Sequence, residues 1–275
     1  MSLRALVLDI DGTLIGSDKR VPELSKREIR RVHETCGVEV VIATARGLDS
    51  AKIVAMELDT PCSFIAFGGA VIESGRNGSL FFDQKIFESD TVDHLTGAAD
   101  GLDVYVAVHS LSSCVINRFD YWARREVRNT SVWPEVAPQL SGRAVLPNRG
   151  ISKVMFRGSG RDLDTIASRI GNAKSAYAHR TGGVLEVVPS ARLKLAAMQE
   201  LLGHLGINAE EAVAFGDSLA DVAMLEAAGV GVLMANAPTH LEVSDRIVRT
   251  LSNDEDGIAV VLREFFPTGQ PFHIF

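Results

Sequence analysis

Asp9 and Asp11 are the first residues of the chain whose types and spacing suit chemistry. They follow an apolar run at residues 5–8, and Gly12 comes directly after them. Carboxylates two positions apart share one face wherever a strand continues through them, and a glycine permits a sharp departure of the backbone. Like charges held this close resist joint ionisation. We therefore expect a site that compensates the negative charge of this pair.

Four further polar residues occupy comparable places in the sequence. Asp217 and Asp221 follow the apolar run at residues 212–215, Thr44 follows another apolar run, and Lys194 begins a helical pattern. Ligands of open parallel α/β sheets bind at the carboxyl ends of the strands, so we expect these residues to converge there with the first acidic pair. Up to four carboxylates with one lysine favour a hard cation, and Mg²⁺ suits carboxylates together with phosphate oxygens.

Each of these signals also has a purely structural explanation when it is taken alone. The first acidic pair with its glycine is typical of a turn, and Asp217 with its following serine is typical of a helix N-cap. Thr44 fits a strand end, and Lys194 fits a solvated helix surface. Their joint order and placement favour a common site over four unrelated structural roles.

The segments around these residues predict a parallel α/β core. Continuous apolar runs predict buried strands, and a proline before and a glycine after a polar–apolar stretch predict a helix. Two strands joined by a helix indicate a βαβ unit, in which the strands are parallel. Predicted strands lie at residues 4–8, 38–43, 63–67, 212–215, 230–234 and 246–250, and predicted helices at 22–36, 49–58, 193–204, 219–228 and 256–266.

A different pattern separates the two parts of this core. Residues 68–83 are rich in glycine and polar turn residues, and after them short alternating runs at 103–110 and 152–158 occur with helical stretches at 89–99 and 161–170. This pattern predicts an α+β module inserted into the core. We expect a core domain over residues 1–83 and 188–275 and an inserted domain over residues 84–187.

Composition and charge narrow the classes of partner. The chain has 275 residues, 46% of them hydrophobic, and a net charge of −7, which is ordinary for a globular protein. The negative charge argues against electrostatic binding to nucleic acid or to an anionic membrane. No apolar run is long enough for a membrane span, no signal peptide is recognisable, and 3 cysteines without CxxC spacing fit a reducing compartment. A cytoplasmic location is expected, whereas the oligomeric state has no signature in the sequence.

Several segments, taken together, carry a resemblance to a known family. In chain order they are LDIDGTL, IATAR, FGGAVI, LEVVPSARLKLAAM, AFGDSLADVAML, and MANAP with SNDEDGIA. The chain resembles the haloacid dehalogenase superfamily of aspartate-nucleophile phosphohydrolases, and most closely its Cof-type branch with a class II, subclass B cap. The resemblance implies a Rossmann-like parallel-sheet core with an inserted α+β cap domain.

The resemblance also implies catalytic roles. Asp9 would be the nucleophile that takes the phosphoryl group, and Asp11 would be the general acid for the leaving alcohol and then the base for water. Thr44 would hydrogen-bond the phosphoryl group, and Lys194 would neutralise charge on the nucleophile and the phosphate. These roles agree with the physical needs of phosphoryl transfer, which are in-line positioning, charge stabilisation and a group that serves first as acid and then as base.

A metal site and a substrate site follow from the same resemblance. Mg²⁺ would be held by Asp9, Asp217 and the main-chain carbonyl of Asp11, and Asp221 would support the metal shell. A small phosphorylated metabolite would be bound by Thr44, Ala45, Arg46, Gly68, Gly69 and Lys194.

Two departures from the family pattern leave alternatives open. Ala220 stands where the family usually has asparagine in the segment AFGDSLADVAML, and Gly68 replaces a usual asparagine near the substrate entrance. The leading hypothesis is a Mg²⁺-dependent phosphatase of small phosphorylated metabolites, with sugar phosphates as the expected substrates and an aspartyl-phosphate intermediate. A phosphomutase on sugar phosphates uses the same residues. A catalytically weakened protein that binds or senses a phosphorylated ligand is the alternative that the two departures motivate.

Overall fold

A computed structural model of the chain describes residues 2–75, 80–140, 150–171, 173, 176–189 and 193–267. The chain divides into two compact units. The first unit comprises Met1–Ala45, Ala51–Asp83 and Leu193–Phe275, and the second comprises Arg46–Ser50 and Gln84–Arg192. The domain bounds expected from the sequence stay a prediction.

Strands and helices alternate in the first unit, whereas strands predominate in the second. The strands are β1 Ala5–Leu8, β2 Glu39–Ala43, β3 Cys62–Ala66, β4 Val71–Ser74, β5 Phe81–Gln84, β6 Tyr105–Ser110, β7 Cys114–Ile116, β8 Glu135–Val136, β9 Ile151–Arg157, β10 Ala176–Thr181, β11 Val184–Pro189, β12 Ala212–Gly216, β13 Val230–Leu233 and β14 Val248–Arg249. The helices are α1 Glu23–Cys36, α2 Leu48–Ala55, α3 Ser89–Gly97, α4 Tyr121–Thr130, α5 Gly160–Ile170, α6 Lys194–His204, α7 Leu219–Ala227 and α8 Gly257–Phe265. Across the described part of the chain, no helix is both long and apolar enough to span a lipid bilayer.

The eight-stranded sheet of the first unit has the order β14-β13-β12-β1-β2-β3-β4-β5. Neighbours from β14 to β3 are parallel, and β4 pairs antiparallel with β3. Every residue of β1 is buried, as expected for a strand that is covered on both faces. Strand β1 lies between β12 and β2, so strands from opposite ends of the sequence meet at the middle of the sheet. The predicted parallel α/β core is confirmed.

Helix α6 is positioned by its apolar face. Ala197, Met198, Leu201 and Leu202 are buried in the core that α6 shares with the sheet. These residues recur at helical spacing, so one stripe of the helix faces the strands. This packing fixes the first residue of α6, Lys194, against the sheet.

The sequence predicts turns at residues 68–83, whereas the structure has strands in this segment. These residues contain β4 and β5, and β4 forms an antiparallel pair with β3 in which Ile72 lies opposite Ile65. The strand is short and stands between glycines, which hides its two fully buried residues, Val71 and Ile72, from an analysis of periodicity. The described part of this segment is therefore a continuation of the sheet.

The second unit is a six-stranded, mainly antiparallel sheet with the order β10-β11-β9-β6-β7-β8. Its edge pair, β7 and β8, is parallel. Helices α3 and α5 contribute to the core on one side of the sheet, together with Val106 and Phe156. On the other side Ala123 of α4 packs with Tyr105 and Met155. The predicted α+β character of the inserted module is confirmed.

Candidate active site

Asp9 is the first residue after β1, at the carboxyl end of the central strand. Its backbone N–H donates to the carbonyl of Phe215 at 3.2 Å, which continues the β1–β12 ladder by one residue. Its side chain is buried, with the residue 6% exposed. A carboxylate in this place loses water, so it needs charged or hydrogen-bonding partners within the protein.

Asp217 and Asp221 lie where β12 ends and α7 begins. The Ser218 hydroxyl donates to Asp221 Oδ2 at 2.7 Å, and the Ser218 N–H donates to the same oxygen at 3.1 Å. The N–H bond is one half of a capping box; in the other half the Ser218 side chain accepts from the Asp221 N–H, and together they fix the Asp221 carboxylate at the start of the helix. Gly216 allows the close approach, because a Cβ atom there would lie 2.4 Å from the Asp221 Cβ.

Lys194 contacts two aspartates, Asp9 directly after β1 and Asp221 in the first turn of α7. Its ammonium donates to Asp9 Oδ1 at 2.6 Å and to Asp221 Oδ1 at 2.7 Å, and all three side chains are buried. These contacts link residues that are 185 and 27 positions apart in the sequence. The predicted convergence of Asp9, Asp221 and Lys194 is therefore seen directly in their contacts.

Asp9, Asp217 and Asp221 form a cluster that fits a divalent cation. One carboxylate oxygen from each lies within 4.8 Å of the others. Carboxylate oxygens are the ligands that Mg²⁺ prefers, and Mg²⁺ usually takes only one or two of them. Both oxygens of Asp221 already accept hydrogen bonds, so Asp9 and Asp217 are the residues best placed to bind an ion directly. Asp221 would balance charge behind them.

The titration behaviour of this cluster follows from its burial and from its excess negative charge. Burial raises the pKa of the Asp9 carboxyl to about 8; Lys194 opposes this rise and Asp221 adds to it. Burial likewise raises the pKa of Asp217 to about 6, and the charge of Asp221 adds to that rise. Burial opposes the charge of Lys194, but Asp221 and Asp9 outweigh it and raise the pKa of the ammonium. Because one lysine faces three carboxylates, the lysine stays charged, and a carboxyl is the group in the cluster that binds a proton more readily than usual.

Asp11 differs from the expectation that it shares a face with Asp9. Strand β1 ends at Leu8, so the strand geometry that would align the two carboxylates does not reach them. The Asp11 side chain is half-exposed and lies 3.5 Å from the ammonium of Lys19. Its charge nevertheless raises the pKa of Asp217, which indicates that the two carboxylates are near each other. Asp11 therefore lies at the rim of the cluster, next to solvent.

Thr44 and Gly68 hold two neighbouring loops together at the same end of the sheet. Thr44 is buried; its N–H donates to the Ile65 carbonyl at 2.8 Å, and its carbonyl accepts from the Gly68 N–H at 2.9 Å. Gly69 has a φ of +117°, and a Cβ atom there would lie 2.6 Å from the Leu193 carbonyl carbon. The glycine therefore allows the backbone just before Lys194 to approach.

The remaining predicted substrate residues fall in different units. Ala45 is exposed and ends the first segment of the first unit, whereas Arg46 belongs to the second unit. The Arg46 guanidinium donates to Ser50 Oγ at 3.4 Å. The substrate-binding role of the predicted set stays a prediction.

Sequence reasoning missed two asparagines that hold the loop after β1. Asn236 donates from Nδ2 to the Gly12 carbonyl at 2.8 Å, and Asn253 donates from Nδ2 to the Ile15 carbonyl at 2.8 Å. The asparagines lie in the segments MANAP and SNDEDGIA, which the family resemblance covers without implying a role. Their partners are 224 and 238 positions away, so no local pattern indicates the contacts.

The fold and the cluster together define a class of proteins with a parallel α/β core and an acidic site at the carboxyl ends of its strands. The family model of haloacid dehalogenase-like hydrolases matches residues 6–262, and the chain belongs to this family. The predicted family is thus confirmed.

Similar proteins agree with this assignment. The chain is 25% identical over 269 residues to the 5-amino-6-(5-phospho-D-ribitylamino)uracil phosphatase YitU of Bacillus subtilis, covering 95% of this chain and 97% of the relative. It is 27% identical over 239 residues to the HMP-PP phosphatase of Cronobacter sakazakii, covering 85% of this chain and 84% of the relative. A haloacid dehalogenase-like hydrolase from Bacteroides thetaiotaomicron has the same fold, with a TM-score of 0.85, 24% identity and coverage of 96% and 100% of the two chains. The predicted enzyme class, a phosphoric monoester hydrolase, is confirmed.

Proposed function

We propose that this enzyme is a Mg²⁺-dependent phosphatase that hydrolyses sugar phosphates or similar small phosphorylated metabolites through an aspartyl-phosphate on Asp9. The observation that carries the proposal is the buried cluster in which Lys194 bonds both Asp9 and Asp221 beside Asp217. A phosphoryl group in transfer needs in-line positioning and charge stabilisation, and this cluster offers a nucleophile and a cation side by side.

Asp9 is the nucleophile in this proposal. Its Oδ1 is held by the Lys194 ammonium at 2.6 Å, and its Oδ2 accepts no hydrogen bond from a described residue. Attack by that second oxygen on phosphorus releases the leaving alcohol and forms the aspartyl-phosphate. Lys194 holds the nucleophile in one orientation and offsets negative charge as the phosphoryl group arrives.

Asp9 and Asp217 would hold the metal, and Asp221 with Lys194 would balance the charge behind it. Phosphatases of this superfamily generally use Mg²⁺. When it is bound, the cation lowers the repulsion between the nucleophilic carboxylate and the phosphate oxygens. The raised pKa values of Asp9 and Asp217 support the proposal, because burial and neighbouring carboxylates disfavour their negative charges and a bound cation would offset those charges.

Asp11 is the proposed acid and base. Its carboxyl is half-exposed, so it can exchange a proton with water, and its influence on Asp217 indicates that it lies close to the cluster. It would give a proton to the leaving alcohol and then take one from the water that attacks the aspartyl-phosphate. Lys19, 3.5 Å away, keeps a positive charge next to it.

Chemistry and the names of two relatives support the proposed substrate class. The name of the Bacillus subtilis relative specifies a phosphorylated ribityl compound, and that of the Cronobacter sakazakii relative specifies another small phosphorylated compound. A sugar phosphate presents the same kind of phosphate ester on a hydroxylated carbon chain. A cytoplasmic location is part of the proposal, since most such metabolites are found there.

An activity screen tests the proposal. The protein is assayed for phosphate release on a panel of sugar phosphates, nucleotides and other phosphorylated metabolites, with Mg²⁺ and with EDTA. Asp9→Asn is the matched control, because it keeps the size of the side chain and removes the nucleophile. We expect Mg²⁺-dependent turnover of a sugar phosphate by the wild type alone. Turnover that persists in Asp9→Asn would refute the nucleophile, and turnover that persists in EDTA would refute the metal.

A further inference from the structure

Asn236 makes contacts on both sides of its side-chain amide. Nδ2 donates to the Gly12 carbonyl at 2.8 Å and lies 3.5 Å from Asp217 Oδ2, and Oδ1 accepts from the Asn253 N–H at 3.1 Å. A carbonyl needs a donor and an N–H needs an acceptor, so the two partners fix which end of the amide is nitrogen. The side chain therefore has a single orientation that satisfies its neighbours.

The backbone at Gly12, which Asn236 holds through its carbonyl, is restricted in conformation and closely packed. Gly12 has a φ of +79°, and a Cβ atom there would lie 2.1 Å from Asp217 Oδ2 and 3.2 Å from Asn236 Nδ2. Gly12 thus fits against both side chains at once. Its carbonyl is fixed by the Asn236 amide, and its nitrogen belongs to the peptide bond that follows Asp11.

We infer that Asn236 is a positioning residue for metal binding: its amide holds the Gly12 peptide and orients the Asp217 carboxylate, so that Asp217 and the Asp11–Gly12 backbone keep the geometry that Mg²⁺ requires. This inference rests on the proposed function. Mg²⁺ demands near-ideal geometry, so a small displacement of a ligand lowers its affinity. Outer partners that orient metal ligands typically contribute about 10- to 100-fold to metal affinity.

A simpler possibility is that Asn236 merely fastens the loop after β1. Asn253 provides the comparison, because its Nδ2 donates to the carbonyl of Ile15 in the same loop at the same distance of 2.8 Å. Asn253→Ala removes that contact and keeps the backbone N–H that donates to Asn236. Each alanine variant therefore removes one Nδ2 contact to a carbonyl of this loop, and Asn236→Ala alone also removes the amide that faces Asp217 and accepts from the Asn253 N–H.

The test measures Mg²⁺ binding without turnover. The free energy of unfolding is followed as Mg²⁺ is titrated into metal-free wild type, Asn236→Ala, Asn253→Ala and Asp217→Ala, and calorimetric titration of the same proteins gives a second measure of affinity. A ligand that binds only the folded state stabilises it in proportion to the logarithm of one plus the ratio of its concentration to its Kd, so a fit of this stabilisation gives the Kd, which is the Mg²⁺ concentration at the midpoint of binding. Metal-free samples show whether each variant is folded before the ion is added.

We expect the Mg²⁺ midpoint of Asn236→Ala to rise roughly tenfold, at the lower end of the range for outer partners because the side chain is exposed. Asn253→Ala should shift the midpoint by less than about twofold, since a surface change away from the ligands has a small effect. An unchanged midpoint in Asn236→Ala, or an equal rise in Asn253→Ala, would overturn the inference and leave the proposed function standing. A wild type that Mg²⁺ does not stabilise, with Asp217→Ala behaving in the same way, would overturn both.

Discussion

Replacing Lys194 with methionine tests the charge balance of the site most directly. Met has a similar length and no charge, so Lys194→Met leaves the Asp9 and Asp221 carboxylates buried without their shared cation. Removing one partner of a buried ion pair costs about 3–5 kcal/mol, because the remaining charge is then uncompensated. That is a large part of the roughly 5–15 kcal/mol by which a typical domain is stable.

Lys52 provides a matched control. Its ammonium lies 2.7 Å from Glu73, as close as Lys194 lies to Asp221, but the Lys52 side chain is 43% exposed whereas that of Lys194 is 5% exposed. Exposed pairs contribute about 0–1 kcal/mol. We therefore expect Lys52→Met to change the free energy of unfolding several times less than Lys194→Met does.

The loss in the free energy of unfolding that Lys194→Met causes, here called its deficit, depends on pH with a definite sign. Without the lysine, the pKa of the buried Asp9 carboxyl rises further above that of the unfolded chain, so the folded state binds more protons and loses stability as pH rises. Each such proton contributes a slope of up to about 1.4 kcal/mol per pH unit. Lys194 itself stays charged in the wild type throughout this range, because its folded pKa is raised. The deficit should be larger at about pH 8 than at about pH 5.

Urea unfolding in EDTA, followed by circular dichroism, measures this deficit. Both tryptophans, Trp122 and Trp133, belong to the second unit, so their fluorescence monitors the unit that lacks the substitution. The reasoning would be refuted if Lys194→Met and Lys52→Met had equal effects, or if the Lys194→Met deficit did not change between the two pH values.

Three further predictions concern the metal, the proton donor and a close backbone approach. Asp217→Ala should raise the Mg²⁺ requirement for activity or abolish activity, and wild-type turnover should stop in EDTA and return with Mg²⁺; full activity in chelator would contradict the metal site. Asp11→Asn should lose about 10²- to 10⁴-fold on a sugar phosphate, which needs a proton on its leaving group, and much less in the release of nitrophenolate. Rapid mixing with nitrophenyl phosphate should then show a burst as the aspartyl-phosphate accumulates, whereas equal losses on both substrates without a burst would favour a purely structural Asp11. Gly216→Ala should destabilise the protein by about 1–3 kcal/mol because the added methyl meets Asp221, while Gly203→Ala, in an open position of α6, should not; equal thermal melting of the two variants would contradict the close approach.

The sequence predicted the strands of the core well because they are buried on both faces. Strands β1, β2 and β12 are continuous apolar runs, and their observed bounds lie within one or two residues of the predicted ones. Helix α4, in contrast, has only one buried residue, Ala123, so its sequence has no apolar stripe to indicate it. Strand β4 was hidden by its flanking glycines. Sequence patterns thus indicate elements whose buried apolar residues form a sufficiently long continuous or periodic run.

The candidate site was predictable in its members and not in its contacts. The ends of parallel strands placed Asp9, Asp217 and Asp221 at one edge, the helical pattern that Lys194 begins placed the lysine with them, and the family resemblance added their roles. The orientation of Asp11 toward solvent was not predictable, because it depends on β1 ending one residue before Asp9. The role of Asn236 was not predictable either, because its partner Gly12 is remote in sequence and contributes only a backbone carbonyl.

The start of α6 shows how the site, rather than helix stability, determines a local choice of residue. Helix N-termini carry a partial positive charge, so an acidic residue or a polar cap is favourable there and a lysine is not. Helix α6 begins with Lys194, has no acidic residue in its first turn, and is preceded by Leu193, which makes no capping contact. The carboxylates of Asp9 and Asp221 supply, from β1 and α7, the negative charge that the helix start itself lacks. Nothing in α6 requires a lysine at its first position, and only remote acidic groups compensate for it. Such a residue indicates a functional site more specifically than the sequence segment LEVVPSARLKLAAM does alone.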